Sequence, residues 1–528
     1  MKAFPSTAIF SLLMGLNLSA RPLAFPTAQG FGANASGGRG GTVYHVTNLN
    51  ESGAGSFADA CSRTNRTVVF NVGGVITIHD RINVADNITI AGQTAPGDGI
   101  VVYGYGIITN GRNIIIRHLT ILGSIKMSDG KCTLTWDGSN NVIYDHCTIG
   151  WGRWDCIHIT NSTDVTMQYC IIAEGIDPQR FGAITDGTRN WTVHHNLWIN
   201  QKSRNPKMKC FLQYINNIVY NYGCCGIVGG HSGADHYQDV INNYFIAGPS
   251  SSTTFLTEWD KTDKVYHSGN FADLDKDGTL NGKAVTDADF LSAGGSSYAG
   301  ATIRNSPYLT SPVPVIVESA ADAFETVLNE AGSSLHRLSI NDRLRNHLKS
   351  LGTEGALIDS EADVGGVETV EGGTAPTDTD RDGMPDTWEK AHDLDPDNAD
   401  DRNGTQLSPD GYTNLEVYLN ELAAGGTTAS GDTNERGVKK EGYAGKTVTS
   451  RFTGDALILH APEKMDASIK LVNAAGRLFW SRSNVTIPRG ETVFSLSKKG
   501  ILPFSQGIVI VCIENEDGEY RMVINKGE

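Results

Sequence analysis

Short runs rich in β-branched residues begin at Asn87, Asn113, Asn141, Asp164 and Asn190, and the starts lie 26, 28, 23 and 26 residues apart. Further runs lie at 211–217 and 239–242. Each repeat holds two short runs, as in Ile114 to Arg117 followed by Leu119 to Leu122, with Gly, Asn, Asp and Ser between them. A meander of hairpins would place two-residue turns at closer spacing, and helical periodicity is nearly missing here. A period in the twenties suits a parallel β-helix, in which each coil stacks on the previous one and extends a common core. A β-sandwich is the structural alternative. Asn196, Asn216, Asn217, Asn242 and Asn243 follow the strands and are expected to form side-chain ladders at the bends.

The remainder of the chain divides by composition. An apolar run from Ile9 to Leu16 behind Met1-Lys2 reads as a secretory signal peptide over residues 1–24, and it is too short to span a bilayer. The β-helix is expected over 25–357, with helical pattern at its end from 317 to 351. Residues 358–377 read as a linker, 378–423 as a small acidic module, 424–444 as a second linker and 445–528 as a β-rich module. The net charge of −16 is local. Asp359 to Glu421 holds 18 acidic and 3 basic residues, so the rest is close to neutral. Nine cysteines occur without a CxxC pair, which argues against a zinc ribbon. Cys147 and Cys170 hold matching places in successive repeats and suit a stacked pair, a disulfide or free buried thiols.

Two motifs carry chemistry within the repeat. Lys202, Arg204, Lys207 and Lys209 form a tight cluster of cations after a strand end. Upstream lies Val142-Ile143-Tyr144-Asp145-His146. With Arg204-Asn205-Pro206-Lys207-Met208-Lys209 and the opening Phe25-Pro26-Thr27-Ala28-Gln29-Gly30-Phe31-Gly32, these resemble the pectate lyase branch of polysaccharide lyases. The resemblance implies an all-β, single-stranded, three-sheet, right-handed parallel β-helix. It also implies cleavage of α-1,4-polygalacturonate by β-elimination. By the same resemblance Arg204 takes the proton at C5, while Arg180 and Lys209 bind substrate carboxylates; Lys202 and Lys207, in the same cation cluster, are expected to join in substrate binding. Arg is ordinarily protonated, with a pKa above roughly 12. A base of this kind is expected to sit among cations that disfavour its charge, and the pH optimum is expected to be alkaline.

The family's metal site is altered. Only Asp129 remains near Asp129-Gly130-Lys131-Cys132, Asp155 is one residue out of register, and His158 stands where an acid is expected. Asp129 and Asp155 are the expected ligands of a substrate-bridging Ca²⁺, with Glu174 and Asp177 in reserve. Asp145 and His146 read as a structural polar pair. A second metal signal is sharper: Asp378, Asp380, Asp382, Asp386 and Glu389, with Gly383, follow the spacing of a calcium-binding EF-hand loop. A weaker fragment spans Asp273 to Gly278. The C-terminal module resembles sorting domains of a bacterial type IX secretion pathway, with a carbohydrate-binding or spacer sandwich as the alternative.

A secreted enzyme, free or held at the cell surface, is therefore expected, with an acidic plant cell-wall polysaccharide as partner, no nucleic acid and a monomeric state. The rivals are a glycan-binding adhesin and a hydrolase on the same fold, which would need paired carboxylates.

Overall fold

The computed structural model describes residues 21–128, 131–336, 338–425 and, beyond these, the strands between 449 and 526. Of the expected signal segment 1–24, residues 1–20 lie outside the described residues, while Ala24 packs with Phe25 on the coils beside Ile115 and Ile143. Three parallel sheets of 11, 8 and 10 strands wrap into a right-handed β-helix of about nine turns. The repeat read from the sequence is the first sheet: Ile88–Ala91, Arg112–Arg117, Asn140–Asp145, Thr163–Gln168, Arg189–His194, Phe211–Ile215 and His236–Ile241 stack in chain order. The second sheet includes Leu134–Asp137, Asp155–Thr160, Phe181–Asp186, Lys207–Lys209, Ile227–Val228 and Leu256–Thr257. The third includes Thr120–Gly123, Thr148–Gly150, Ile171–Ala173 and Leu197–Ile199.

Stacked identical positions explain the sequence pattern. Ile114, Val142, Val165, Trp191 and Leu212 lie in register across adjacent coils and fill the core. Asn87, Asn113, Asn141 and Asn190 open their strands with φ between 52° and 57°, a left-handed conformation that Asn tolerates better than most residues. Their amides run from coil to coil, Asn141 Nδ2 donating to Asn113 Oδ1 (2.7 Å) and Asn113 Nδ2 to Asn87 Oδ1 (2.9 Å).

The expected bend ladder is present at Asn196, Asn217 and Asn243, whereas Asn216 and Asn242 turn their amides to backbone carbonyls. Asn196, Asn217, Asn243 and Asn270 form a buried chain, with Nδ2-to-Oδ1 distances of 3.0, 3.1 and 2.9 Å. Cys170 and Cys147 continue the same ladder: Cys170 N donates to Asn196 Oδ1, and Cys147 N to Cys170 Sγ. Both are free thiols, which settles their pairing in favour of stacking. One residue earlier, the rings of His118, His146, Tyr169 and His195 stack at 5.0 Å intervals.

Helices Ala320–Glu330 and Ser339–Lys349 pack their apolar faces on the third sheet. The stretch 358–377 is no loose linker. Glu361 is buried and accepts from Tyr103, Ser124 and the Ile125 amide, and Val370 joins the same apolar cluster as the helices. Polar composition misled here because the buried acid is fully hydrogen-bonded. Helix Asn414–Ala423 likewise packs Leu415, Tyr418, Leu419 and Leu422 on Val69 and Ala91 of the first sheet. Residues 426–444 of the second linker lie outside the described residues. The strands from Thr449–Thr453 to Gly518–Lys526 form antiparallel sheets of three and four strands.

Candidate active site

Arg204 sits in the corner that leads into Lys207–Lys209 on the second sheet. Its backbone is left-handed (φ 61°) and is sewn to both neighbours: Ala183 N donates to Arg204 O (2.7 Å), and Asn205 N to Gly226 O (3.2 Å). The following Asn205-Pro206 peptide is cis. Asp155, Phe181 and Ser203 hold one lateral position on three successive coils. Arg204 reaches back along that row. Its Nη1 lies 3.1 and 3.2 Å from the two oxygens of Asp155, and its guanidinium sits 4.2 Å from the centre of the Phe181 ring. Asp155 is fully buried, whereas one face of Arg204 stays open. Burial pushes the Asp155 carboxyl up to about 6, against the pull of Arg204 and Lys207.

The other expected substrate cations surround this point. Lys207 and His158 share one outward row, and Lys209 shares another with Asp186 and Thr160. Lys207 Nζ lies 3.1 Å from Glu258 and 3.2 Å from His231; burial lowers its pKa, with Glu258 opposing. Lys209 pairs with Asp186 at 3.0 Å. Arg180 pairs with Asp177 at 2.9 Å and also with Asp359. The cations expected beside Arg204 are therefore partly neutralised. Arg180, Lys207 and Lys209 each carry an acidic partner, because the parallel coils bring acids from distant sequence alongside them. A corner row precedes the sheet: Trp154 N donates to Lys131 O, Phe181 N to Trp154 O, Lys202 N to Arg180 O and Cys224 N to Lys202 O. That row exposes Lys131, Trp154 and Lys202.

The expected calcium ligands beside Arg204 fare differently. Asp129 lies outside the described residues. Asp155 spends both oxygens on Arg204 instead of facing an acidic partner. The three described groups of metal-ligating side chains do not include a residue at Arg204. Glu174 faces the other way, paired with Arg343 and accepting from Trp151. The described residues thus do not fit a calcium site here. Asp145 and His146 are structural, as read: Asp145 is buried, pairs with Arg117 (2.8 Å) and His146 (2.8 Å), and accepts from Gln168. Those partners hold its carboxyl well below the usual range. His118 stacks nearly parallel on His146, so their ring nitrogens cannot converge on one ion.

In the acidic segment, Asp378, Asp380 and Asp382 bring carboxylate oxygens within 4.8 Å of one another, as do Asp382, Glu389 and Asp401. Asp386 turns away and accepts from the Thr379 amide and hydroxyl, both at 2.8 Å. Its place is corrected accordingly: at the first turn of helix Asp386–Ala391 it caps the loop behind it. Sequence reasoning missed Phe181, Glu258, His231 and Asp401. Counting one coil on from Asp155 would have found Phe181; the others come from loops of irregular length.

"Probable pectate lyase C" of Aspergillus fumigatus is 43% identical over 403 residues, covering 76% of this chain and 94% of that protein. The Aspergillus flavus protein of the same name is 42% identical over 426 residues, covering 80% and 99%. Pectate lyase 2 of Ambrosia artemisiifolia is 28% identical over 232 residues, 38% of this chain and 58% of that protein. Among solved structures, the pectate lyase of Paenibacillus sp. 0602 superposes with a TM-score of 0.44 at 14% identity over 61% of this chain and 98% of its own. No family model matches the chain. The chain belongs to the pectate lyase family and is a polysaccharide lyase.

Proposed function

We propose that the chain cleaves α-1,4-polygalacturonate by β-elimination, with Arg204 as the group that takes the C5 proton. The observation that carries this is the placement of Arg204. There a buried carboxylate, an aromatic ring and neighbouring cations meet. A C5 hydrogen beside an ionised carboxylate is weakly acidic, because its removal adds charge to a group already negative. In this reading Arg180, Lys202, Lys207 and Lys209 bind substrate carboxylates, which displace the acidic partners of Arg180, Lys207 and Lys209, and so stabilise the enolate-like transition state. Arg204 receives the proton, the C4–O bond breaks with its electron pair leaving on oxygen, and that oxygen takes a proton from water. The new end carries a 4,5 double bond. Asp155 positions the guanidinium and Phe181 supports its lower face. Arg204 must shed a proton before it accepts one. The nearby Lys207 favours that loss, and an ionised Asp155 opposes it.

The rival hydrolase needs two carboxylates facing a common bond. The acids of the second sheet named above are instead each committed to a cation. The mass of the products tests the reading. Each elimination leaves one fragment, that with the new 4,5-unsaturated end, lighter by one water than its hydrolytic counterpart, and a product set in which every oligomer has hydrolytic mass would overturn the reading.

A further inference from the structure

The acidic loop at 378–401 lies on the first sheet, away from the cation row, and the lyase reaction does not use it. Four features of its chemistry converge. All of its candidate ligands are carboxylate oxygens. Asp382 and Glu389 are 1% and 0% exposed. Both oxygens of Glu389, Oδ2 of Asp380, Oδ2 of Asp382 and Oδ1 of Asp401 are buried with no hydrogen-bond partner. Each unpaired buried carboxylate carries a desolvation cost of several kcal/mol in order of magnitude. Such atoms, gathered in two triads that share Asp382, have no reason to persist unless a cation binds them. No lysine or arginine is paired with Asp380, Asp382 or Glu389 among the described residues.

The backbone is shaped for the same end. The amides of Asp382 and Gly383 donate to Asp378 (3.2 and 3.0 Å), and the amide of Met384 donates to Asp382 Oδ1 (2.8 Å). These bonds curl the loop so that the remaining oxygens point inward. Gly383 adopts φ 96°, where a side chain is strained, and a Cβ there would press on Val43 and Leu415 at 3.1 Å.

We propose that Asp378, Asp380, Asp382, Glu389 and Asp401 form a Ca²⁺ site that fastens the helical segment 378–423 to the first coils of the β-helix. Hard oxygen-only ligands in a flexible loop suit Ca²⁺ over softer or smaller ions. Asp401 arrives from the following turn and takes the part that Asp386 leaves. The fastening follows from what surrounds the loop. Met384, two residues past Asp382, packs with Val69, Leu415 and Tyr418 in one buried cluster. His45 of the strand Thr42–Val46 lies 3.1 Å from Arg381 O and 3.8 Å from Asp378. Arg39 pairs with Glu416 at 2.7 Å, and Arg117 Nη1 donates to Asn420. Ordering the loop therefore orders a seam that spans several coils. The site does not depend on the lyase reading.

Calcium titration of the full chain after chelation tests the inference, read by calorimetry, by thermal unfolding and by terbium luminescence sensitised through Trp388. The expected result is a Tm that rises with calcium and a terbium signal that calcium displaces. Glu389→Gln should weaken binding by about 100-fold and abolish the Tm rise, and Asp380→Asn should do the same if Glu389→Gln fails to fold. Asp155→Asn should leave both responses intact. A chelated wild-type chain whose Tm does not respond to calcium would overturn the proposal, as would unchanged terbium binding in both loop variants.

Discussion

Both carboxylate oxygens of Asp155 face a single nitrogen of Arg204, at 3.1 and 3.2 Å, although the two residues are 49 positions apart. Two coils of the second sheet separate them, with Phe181 between. Arg204 is thereby fixed in place while one face stays open to a substrate. The same contact couples the position of the arginine to the charge of a buried acid.

That coupling has a pH signature. Asp155 titrates near 6, raised chiefly by burial. As pH falls through about 6 it loses its charge and its grip on Arg204, so turnover on polygalacturonate should fall along an acid limb centred there. In Asp155→Asn the grip is lost at every pH. The expected outcome is a kcat lower by about 10-fold to 100-fold and an acid limb no longer centred near 6. An acid limb that survives unchanged in the variant would show that Asp155 does not set it.

Trp154 exposes 41% of its surface on the corner row that also holds Arg180 and Lys202. An indole face of that kind suits stacking against the apolar face of a sugar ring. Trp154→Ala should raise KM by about 10-fold with little change in kcat. A fall in kcat alone would place Trp154 outside the binding surface.

The Asn ladder is a stability device. Asn217 accepts from the Asn196 amide and side chain and donates to Val193 and Ile215, all in the core. Asn217→Ala orphans several buried groups at once. It should cost about 2–4 kcal/mol, measured by denaturant unfolding. Asn113→Ala, on a less buried ladder, should cost less.

His118 predicts acid sensitivity. Burial, with help from His146 and Arg117 and against Asp145, holds its pKa well below the ordinary value, and neither ring nitrogen has a hydrogen-bond partner. The unfolded chain gains a proton below about pH 6.5 that the folded chain refuses. Stability from this residue is therefore complete above that pH and falls below it, by about 1.4 kcal/mol per pH unit. His118→Phe should unfold at a higher Tm than wild type at pH 5 and show no such gain at pH 8.

The first sheet was the legible part of the fold. One left-handed Asn per coil, followed by a β-branched run, repeats in sequence because each coil meets the same steric problem at the same bend. The second sheet was not legible as strands: Lys207–Lys209 and Ile227–Val228 are too short to show alternation. Arg204 was found through its motif, yet its partner Asp155 was read as a calcium ligand. Which coil lies beside which depends on loop lengths that sequence pattern does not constrain. The Arg180–Asp359 contact joins residues 179 positions apart, so the expected cation cluster had no means of including Asp359. Residues 358–377 looked like a linker because their composition is polar, while Glu361 is buried among donors. The acidic loop at 378–389 was legible from spacing alone, since six consecutive positions fix its curl. Asp401 was not, because it enters from the next turn.

The most direct test of the central claim compares wild type and Arg204→Ala on polygalacturonate at alkaline pH, following the ultraviolet absorbance of the unsaturated product and, separately, substrate binding. The expected result is a steady rise for wild type, a loss of turnover of about 10²–10⁴-fold in the variant, and substrate binding largely kept. Turnover retained within a few-fold in Arg204→Ala would contradict the assignment of Arg204 as the base.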